Sequence, residues 1–516
     1  MDFQETIGPP PLRGAQPRKP VDRLAPTLAA AMLLSLLTAK VHALKPRSDE
    51  GWSHGTLLLK FWTTLPEIPD IVAEWASLVP LTVYLSNMRT AYDLAGEVSL
   101  RANLSLSIVP KLWELGSIAK LLRERETFLD TASAAGDPLR VYDVQWGSVF
   151  PCYNSAAAVS VAANAMHHAD DTPEITQKDL NDWVIEHEAE LEQQFPPDAF
   201  SKSRELPTIR SEVYCGDGVR DLVDRKRLFG RAQQLNIIFV SLRGKRARTS
   251  GMLQRPWTHR LQLTAQLLLV IGTGAVLLSL GCIGTGVLLL IGSISHFCSQ
   301  YVEVRRSPLY LRNREVHEGC MLVAAHENAT IWTLYLGDRG MIDSLLNKPM
   351  VEISKASPLI LNWFRFAEIL QVFAMTYVAG QKGWDAMCLL IIIILWSLTR
   401  FNSRNKHAAA WLQEEGLDTT AFRCEFPGRS ELLGAVQLLS TEKRTLWMDG
   451  ILAPVQRRDI WLQMVGAVDS DSKSLRESFD SLGAHDRNWV RGTGMQTMAG
   501  YNLIRKKLVV LGLYKE

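Results

Sequence analysis

The segment AAHENATIWTLYLGDRGMIDSLLNKPM, residues 324–350, contains several ionisable side chains of the types that transfer protons in enzymes. They are His326, Glu327, Asp338, Arg339 and Asp343. IWTLYLG predicts a strand, DRG a turn, and MIDSLLNKP a short helix that ends before Pro349. One interpretation makes His326, Glu327 and Asp338 acid–base groups. The other makes Asp338 and Arg339 a helix cap that pairs with arginines beside the neighbouring apolar segments.

A second candidate pair, Arg365 and Glu368, lies inside the apolar text PLILNWFRFAEILQVFAMTYV. Residues three apart share one face of a helix. A charge inside an apolar span costs about 2.5 kcal/mol or more on insertion scales, so we expect the two charges to pair or to lie in a hydrated interior. The pair is either structural, or it supplies an acid–base group whose pKa is raised by apolar surroundings.

The sequence predicts neither a metal site nor a cofactor. The acidic text around Asp170, Asp171 and Glu174 lacks a second metal motif, and His317 and His326 are too far apart in sequence to form a histidine box. Nucleophile-elbow and Walker lysine motifs are missing as well. The seven cysteines are scattered without a C-x-x-C pair, so we interpret them as unpaired thiols.

The charge balance excludes a general nucleic-acid binder. The chain has 516 residues, 56 Lys and Arg, 54 Asp and Glu, and a formal net charge of +2. The basic residues cluster beside apolar runs, a pattern typical of proteins that contact a lipid bilayer. We therefore expect the bilayer as a partner, and no nucleic acid.

Two apolar regions predict transmembrane hairpins. Residues 261–302 contain no Asp, Glu, Lys or Arg, and the run is long enough for two helices joined near Gly281 to Gly286. Residues 358–399 repeat the pattern, with QKGWD as the link. The related strings GTGAVLL and GTGVLLL supply small residues that let helices approach closely.

The expected fold is an α-helical integral membrane protein with two transmembrane hairpins, one or two N-terminal crossings and mixed, mainly helical cytoplasmic domains. The predicted segments are a polar tail (1–23), an N-terminal membrane region (24–96, with a crossing at 24–44 and a possible second at 68–85), a cytoplasmic domain (97–260), a hairpin (261–302), a cytoplasmic connector (303–357), a hairpin (358–399) and a cytoplasmic C-terminal domain (400–516). By the positive-inside rule, this predicts a multi-pass protein of an endomembrane or the plasma membrane.

Part of the chain resembles a known group of proteins. The string C-x-L-V-A-x-H-x-N-A-x-x-W-x-L-Y-x-G-D-R-G, the link YVAGQKGWD and the later WMDGILAP are similar to text in multi-pass membrane proteins of filamentous fungi. The likeness covers roughly residues 305–465. It implies a fungal membrane protein without an assigned activity, of a kind sometimes encoded beside secondary-metabolite genes.

Two hypotheses about function remain open. The first is an accessory or scaffold component, possibly tied to secondary metabolism, whose cytoplasmic face binds protein partners. The second is a membrane-embedded enzyme that acts on a lipophilic small molecule, a terpenoid or polyketide intermediate. Its acid–base groups would come from Glu368, Arg365, His326, Glu327 and Asp338.

Overall fold

The structure is a computed structural model of the whole chain. It describes residues 69–86, 90–104, 106, 114–136, 138–169, 174–195, 231–242, 257–308, 310–312, 317–381, 383–400, 403–468 and 472–514. The predicted polar tail, the crossing at 24–44 and the Asp170–Asp171 motif lie outside these residues.

A mixed six-stranded sheet forms the centre of the described chain. Its strands follow the spatial order β2-β1-β5-β6-β3-β8, in which β3 and β6 are parallel and the other neighbours are antiparallel. The strands are β1 (Arg140–Asp143), β2 (Val149–Pro151), β3 (Gln233–Leu242), β5 (Gly319–Ala324), β6 (Ile331–Gly337) and β8 (Leu417–Phe426). A separate two-stranded ribbon pairs β4 (Val304–Arg306) with β7 (Val351–Ile353). The predicted strand IWTLYLG is confirmed as β6.

Alternating side chains of the sheet enter two hydrophobic cores. Val141, Ile238 and Met321 face one core, while Tyr142, Ile237 and Leu322 face the other. Successive residues of a strand point to opposite faces, so neighbours in sequence are buried on different sides.

Helices cover both faces of the sheet, and together with it they form what we call the α/β unit. The first face carries α2 (Thr90–Arg101), α3 (Glu114–Glu124), α4 (Glu126–Ala135), α5 (Ser155–His168), α10 (Arg339–Leu346) and α13 (Ser403–Glu415). The second carries α6 (Gln177–Glu186), α7 (Glu188–Gln194), α14 (Arg429–Leu439), α15 (Gln456–Met464), α16 (Ser472–Asp480) and α17 (Ala484–Val510). A short 3-10 helix covers Leu446–Met448.

Five further helices pack into a separate apolar bundle, the helical unit. They are α1 (Asp70–Ser86), α8 (Trp257–Ser279), α9 (Ile283–Ser299), α11 (Pro358–Gln381) and α12 (Trp384–Arg400). Helix α9 packs against α8 and α11, α1 packs against α11 and α12, and α11 also contacts α3 of the α/β unit. The turn predicted near Gly281 is confirmed, since α8 ends at Ser279 and Gly281 has a φ of +87°.

Glycines in α9 allow its close contacts, as the sequence predicted. A Cβ at Gly284 would overlap the Val378 side chain of α11. A Cβ at Gly286 would lie 2.9 Å from the Gly274 carbonyl oxygen of α8. Neither position has room for a Cβ unless its neighbours shift, so α9 lies directly against two neighbouring helices.

The predicted α-helical, multi-pass fold is wrong. Within the described residues, only Pro358–Gln381 is long and apolar enough to cross a membrane; the other apolar stretches are shorter, at Thr264–Ser279, Ile283–Ser299 and Trp384–Leu395. Helix α9 has 17 residues, which at 1.5 Å per residue is about 25 Å, less than the hydrocarbon thickness of about 30 Å. A turn divides each apolar run into two helices, and of these four only α11 combines the length and the hydropathy of a membrane span.

The domains between the apolar runs also differ from the mainly helical prediction, because they supply the strands of one sheet. Strands β1 and β3 come from 97–260, β5 and β6 from 303–357, and β8 from 400–516. The multi-pass localisation in an endomembrane or the plasma membrane is therefore corrected too, since it depended on the hairpins being crossings.

Candidate functional site

The carboxylate of Asp143 organises a polar site at the end of β1. Its Oδ1 accepts hydrogen bonds from the backbone N–H groups of Gln145 and Trp146, each at 3.1 Å. Its Oδ2 accepts one from Nη2 of Arg339 at 2.7 Å. Asp143 therefore shapes the turn between β1 and β2 and fixes the first residue of α10 beside it.

The charges around Asp143 form a buried cluster. Arg339 Nε lies 3.8 Å from Asp343 Oδ2, and Lys348 Nζ lies 3.3 Å from the same oxygen. Arg339, Asp143 and Asp343 are each less than a tenth exposed. Two carboxylates thus face two cations, so the cluster carries no net charge, which limits the cost of removing these groups from water.

Side-chain hydrogen bonds to backbone groups hold both ends of α10. Asp338 is its N-cap, and its side chain accepts from the Met341 N–H at 3.2 Å. At the other end, the Asn154 amide donates to the carbonyl oxygens of Ser344 and Leu345 at 3.1 and 3.2 Å. The predicted capping role of Asp338 is confirmed, and both ends of the short helix are satisfied.

A glycine sets the position where α10 begins. Gly337 ends β6 with a φ of +121°, and a Cβ there would overlap the Val240 carbonyl oxygen of β3. The Asp338 N–H then donates to that oxygen at 3.3 Å. Only glycine lets the chain turn from β6 into α10 so close to β3.

An exposed tryptophan lies above the buried cluster. The guanidinium of Arg339 lies 5.8 Å from the Trp146 ring centre, and that of Arg444 lies 5.1 Å from it. His317 meets the ring edge at 6.2 Å. Trp146 is 36% exposed and Leu446, nearby, is 69% exposed. We call Trp146, His317, Arg444 and Leu446 the Trp146 surface, a basic aromatic patch suited to contact with a partner.

The structure does not bring the predicted acid–base residues together. His326 and Glu327 lie in the turn before β6, and Asp338 lies just after it. At about 3.3 Å per strand residue, the length of β6 separates them by roughly 20 Å. His326 Nδ1 accepts from the Asn328 N–H at 3.1 Å, and Glu327 forms an exposed ion pair with Arg140.

Arg365 and Glu368 are placed apart as well. Arg365 is exposed, whereas Glu368 is half-buried against α3, where a Cβ at Gly116 would overlap its carboxylate. No ion pair between the two side chains is present among the described contacts. The pairing expected from their spacing is therefore not formed, and Glu368 instead fills the contact between α11 and α3.

A shallow cleft of about 290 Å³ opens at the opposite end of the sheet from Asp338. Arg231, Gln233, Asn328, Gly428 and Arg429 line it together with Ala329. Nη1 of Arg429 donates to the Glu327 carbonyl oxygen and to Asn328 Oδ1, both at 2.7 Å. These bonds connect the turn before β6 to α14. Arg429 therefore has a structural role in the cleft.

Thiols near the buried cluster are poor nucleophiles. Burial, together with the nearby Asp143 charge, raises the pKa of Cys320 to about 12. Burial also raises the pKa of Cys152 to about 12. Because the thiolate is the reactive form, neither sulfur attacks readily near neutral pH. Among the described residues, no cluster of His, Cys, Asp and Glu could hold a metal ion either.

Sequence reasoning missed Asp143, Trp146, Asn154 and Arg444. The text DVQWGS does contain a turn signature, an aspartate followed by a glycine between short apolar stretches. That signature could have located the turn and its capping aspartate. It could not have identified Arg339 as the partner of Asp143, 196 positions away along the chain.

The chain matches no family model, no curated protein and no solved structure. The resemblance to fungal membrane proteins stays a prediction.

Proposed function

We propose that this protein is a non-catalytic scaffold that associates with lipid through its helical unit and holds a protein partner on its α/β unit. The observation that supports the lipid contact is the outward face of α11. Phe366, Ile369 and Phe373 are 54%, 55% and 68% exposed there. Exposing such an apolar surface to water is unfavourable, whereas its contact with lipid acyl chains is favourable.

The burial of α11 also differs from that of a core helix. Only 28% of its apolar window is buried inside the protein, whereas the core helix of a soluble domain is mostly buried. Helix α11 begins at residue 358, whereas a signal sequence lies near the N-terminus. The helix therefore has both the composition and the free surface that lipid contact requires.

The other four helices also carry exposed apolar side chains. Exposed residues of the other four helices include Ile71, Trp75, Leu78, Leu268, Leu269, Ile294, Phe297 and Ile394. Moving one large apolar side chain from water into an apolar phase is worth about 1.5–3 kcal/mol. Several such side chains together can hold a protein on lipid.

The end of α9 has the character of a lipid–water boundary. Tyr301, which is 64% exposed, meets Phe297 edge-to-face with ring centres 5.1 Å apart. The ribbon of β4 and β7 begins directly after it and carries the exposed Arg305. Aromatic rings with a polar tip favour such boundaries, where one end is apolar and the other is wet.

The non-catalytic part of the proposal is supported by the polar groups of the α/β unit. Asp143, Arg339 and Asn154 each hold a turn or a helix end, and the predicted acid–base residues are dispersed. No observation favours the alternative enzyme acting on a terpenoid or polyketide. The exposed Trp146 surface is the candidate contact for a protein partner, and a tie to secondary metabolism stays a prediction from the resemblance.

Vesicle flotation tests the lipid contact. The full chain is mixed with phosphatidylcholine vesicles and compared with the double variant Ile369→Glu and Phe373→Glu. We expect the variant to float at least about tenfold less, because two apolar side chains and their lipid contact are lost. The matched control places two glutamates on the α/β unit, at Val149 and Leu446, which are 47% and 69% exposed.

The control should float like the wild type. The proposal fails if the wild-type protein, folded and free of detergent, stays below the vesicles. It also fails if the double variant on α11 floats as well as the control.

A further inference from the structure

Two cysteines meet where the helical unit joins α9 to α12. The sulfur of Cys282, just before α9, lies 3.8 Å from the sulfur of Cys388 in α12. The other described cysteines, Cys152, Cys298, Cys320 and Cys424, are free thiols. A sulfur–sulfur bond is about 2.05 Å long, so the two sulfurs must approach by about 1.8 Å to bond.

Asp385 keeps the two thiols together. Its carboxylate accepts from the N–H groups of Gly284 and Thr285 at 2.8 and 2.9 Å. The Thr285 hydroxyl donates to the Asp385 carbonyl oxygen at 2.8 Å. The start of α9 is thus clamped to the first turn of α12, two residues after Cys282 and three residues before Cys388. The pair is therefore fixed in place by bonds that do not involve sulfur.

The two thiols differ in exposure. Cys282 is 1% exposed, while Cys388 is partly exposed. A small oxidant therefore reaches the Cys388 sulfur first, and the buried Cys282 sulfur lies next to it. This is the arrangement of an attacking and a resolving thiol.

We propose that Cys282 and Cys388 are a reversible disulfide site, oxidised by a hydroperoxide. The Cys388 sulfur attacks one peroxide oxygen, the O–O bond breaks, and a sulfenic acid and one water form. The Cys282 sulfur then attacks the Cys388 sulfur, the S–O bond breaks, and a second water leaves. Two thiols lose two electrons and hydrogen peroxide is reduced to two waters.

The bond would join α9 and α12 covalently across 106 positions of the chain. Because a long loop is closed, the unfolded chain loses conformational freedom and the folded helical unit gains stability. The site contains none of the α11 residues proposed for lipid contact, since it is built from the start of α9 and the first turns of α12.

Peptide mapping of the full chain tests the site. The purified protein is treated with hydrogen peroxide, blocked with a maleimide and digested without reductant. We expect a linked peptide pair containing Cys282 and Cys388, lost after dithiothreitol, and an upward shift of the melting temperature of the oxidised protein.

Two variants sharpen the result. Cys282→Ser removes the resolving sulfur, so dimedone should then label Cys388 as a sulfenic acid. Cys298→Ser removes an unpaired thiol of the same helix and should leave the linked peptide unchanged.

The proposal is overturned if wild-type protein gives no linked peptide at peroxide doses that oxidise its other thiols. It is also overturned if Cys282 or Cys388 is linked to a different cysteine. The wild-type mapping gives this answer even where a variant fails to fold.

Discussion

The α/β unit places Trp332 and Trp447 in its core, whereas the helical unit buries the polar Gln371 and Asp385 and leaves Phe373 exposed to the outside. The first pattern is that of a protein surrounded by water. The helical unit has apolar side chains on both sides, since Leu288 and Met375 are buried between its helices and Phe373 lies outside. Among the described residues, most of the exposed large apolar side chains belong to the helical unit.

The two units also handle a buried carboxylate differently. Asp143 is neutralised by the guanidinium of Arg339. Asp385 is held instead by two N–H groups at the start of α9. A helix start carries a partial positive charge, so it can hold an anion without a basic side chain. The α/β unit stabilises its buried carboxylate with an ion pair, whereas the helical unit stabilises its own with backbone N–H groups.

The largest expected effect comes from breaking the ion pair of the α/β unit. Asp143→Ala removes the shorter of the two ion pairs of the buried Arg339, so we expect a loss of about 3–5 kcal/mol in the free energy of unfolding. Urea unfolding followed by the fluorescence of the buried tryptophans measures it.

The double variant Asp143→Leu with Arg339→Met removes both charges and should recover most of that loss. The exposed pair of Glu327 and Arg140 gives the matched control, because Glu327→Ala should cost less than about 1 kcal/mol. Equal losses from Asp143→Ala and Glu327→Ala would contradict the role assigned to the buried cluster.

The next effect concerns the carboxylate of the helical unit. Asp385→Ala removes two charge-assisted hydrogen bonds and leaves two N–H groups unpaired, so we expect a loss of about 3 kcal/mol in stability. The same variant should weaken peroxide cross-linking of Cys282 to Cys388, because the clamp that holds the sulfurs together is gone. Thermal unfolding and peptide mapping measure the two effects, and Thr376→Ala on the exposed face of α11 is the control. Normal stability with normal cross-linking would show that the clamp is not needed.

A smaller effect separates two glycines of the helical unit. Gly284→Ala places a Cβ against Val378 and should cost about 1–3 kcal/mol. Gly272→Ala, in the similar text of α8, meets nothing within 4 Å and should stabilise the helix by up to about 1 kcal/mol. Melting temperatures should therefore shift in opposite directions. Shifts of the same sign would mean that α9 does not lie against α11 as closely as described.

The smallest effect is expected at the Trp146 surface. Trp146→Ala removes the stacking of two guanidiniums on an exposed ring, so stability should fall by no more than about 1 kcal/mol. Urea unfolding gives the value, and binding of a partner, if this surface holds one, should weaken much more. A loss as large as that of Asp143→Ala would show that Trp146 is a core residue and not a contact surface.

Local features of the site were predictable from sequence. The strand IWTLYLG and the Asp338 cap follow from short-range periodicity and turn chemistry, and the structure confirms both. The predicted turn DRG is wrong, because α10 already includes Arg339 and Gly340. The sheet was not predictable, because its strands come from three segments far apart in the chain. Five of its six strands were missed. Strand β1 has only four residues and no distinctive pattern, whereas β3 and β8 were missed although each has ten residues.

The helical unit shows the opposite balance. Its apolar runs, the turn near Gly281 and the bounds of α11 and α12 were evident in the sequence, yet only α11 has the length and hydropathy of a membrane span. An apolar run records composition, whereas a crossing also requires a single helix of about 20 residues.

Sequence by itself determined which stretches are apolar, that the chain turns near Gly281 and that Asp338 caps α10. Tertiary structure alone decided that Asp143 meets Arg339, that Asp385 holds the start of α9 and that Cys282 lies beside Cys388. The reason is physical. Local propensity acts through neighbours a few residues apart, while these contacts join positions about a hundred or more apart and form only when the packing of whole helices and strands offsets the entropy of closing the chain between them.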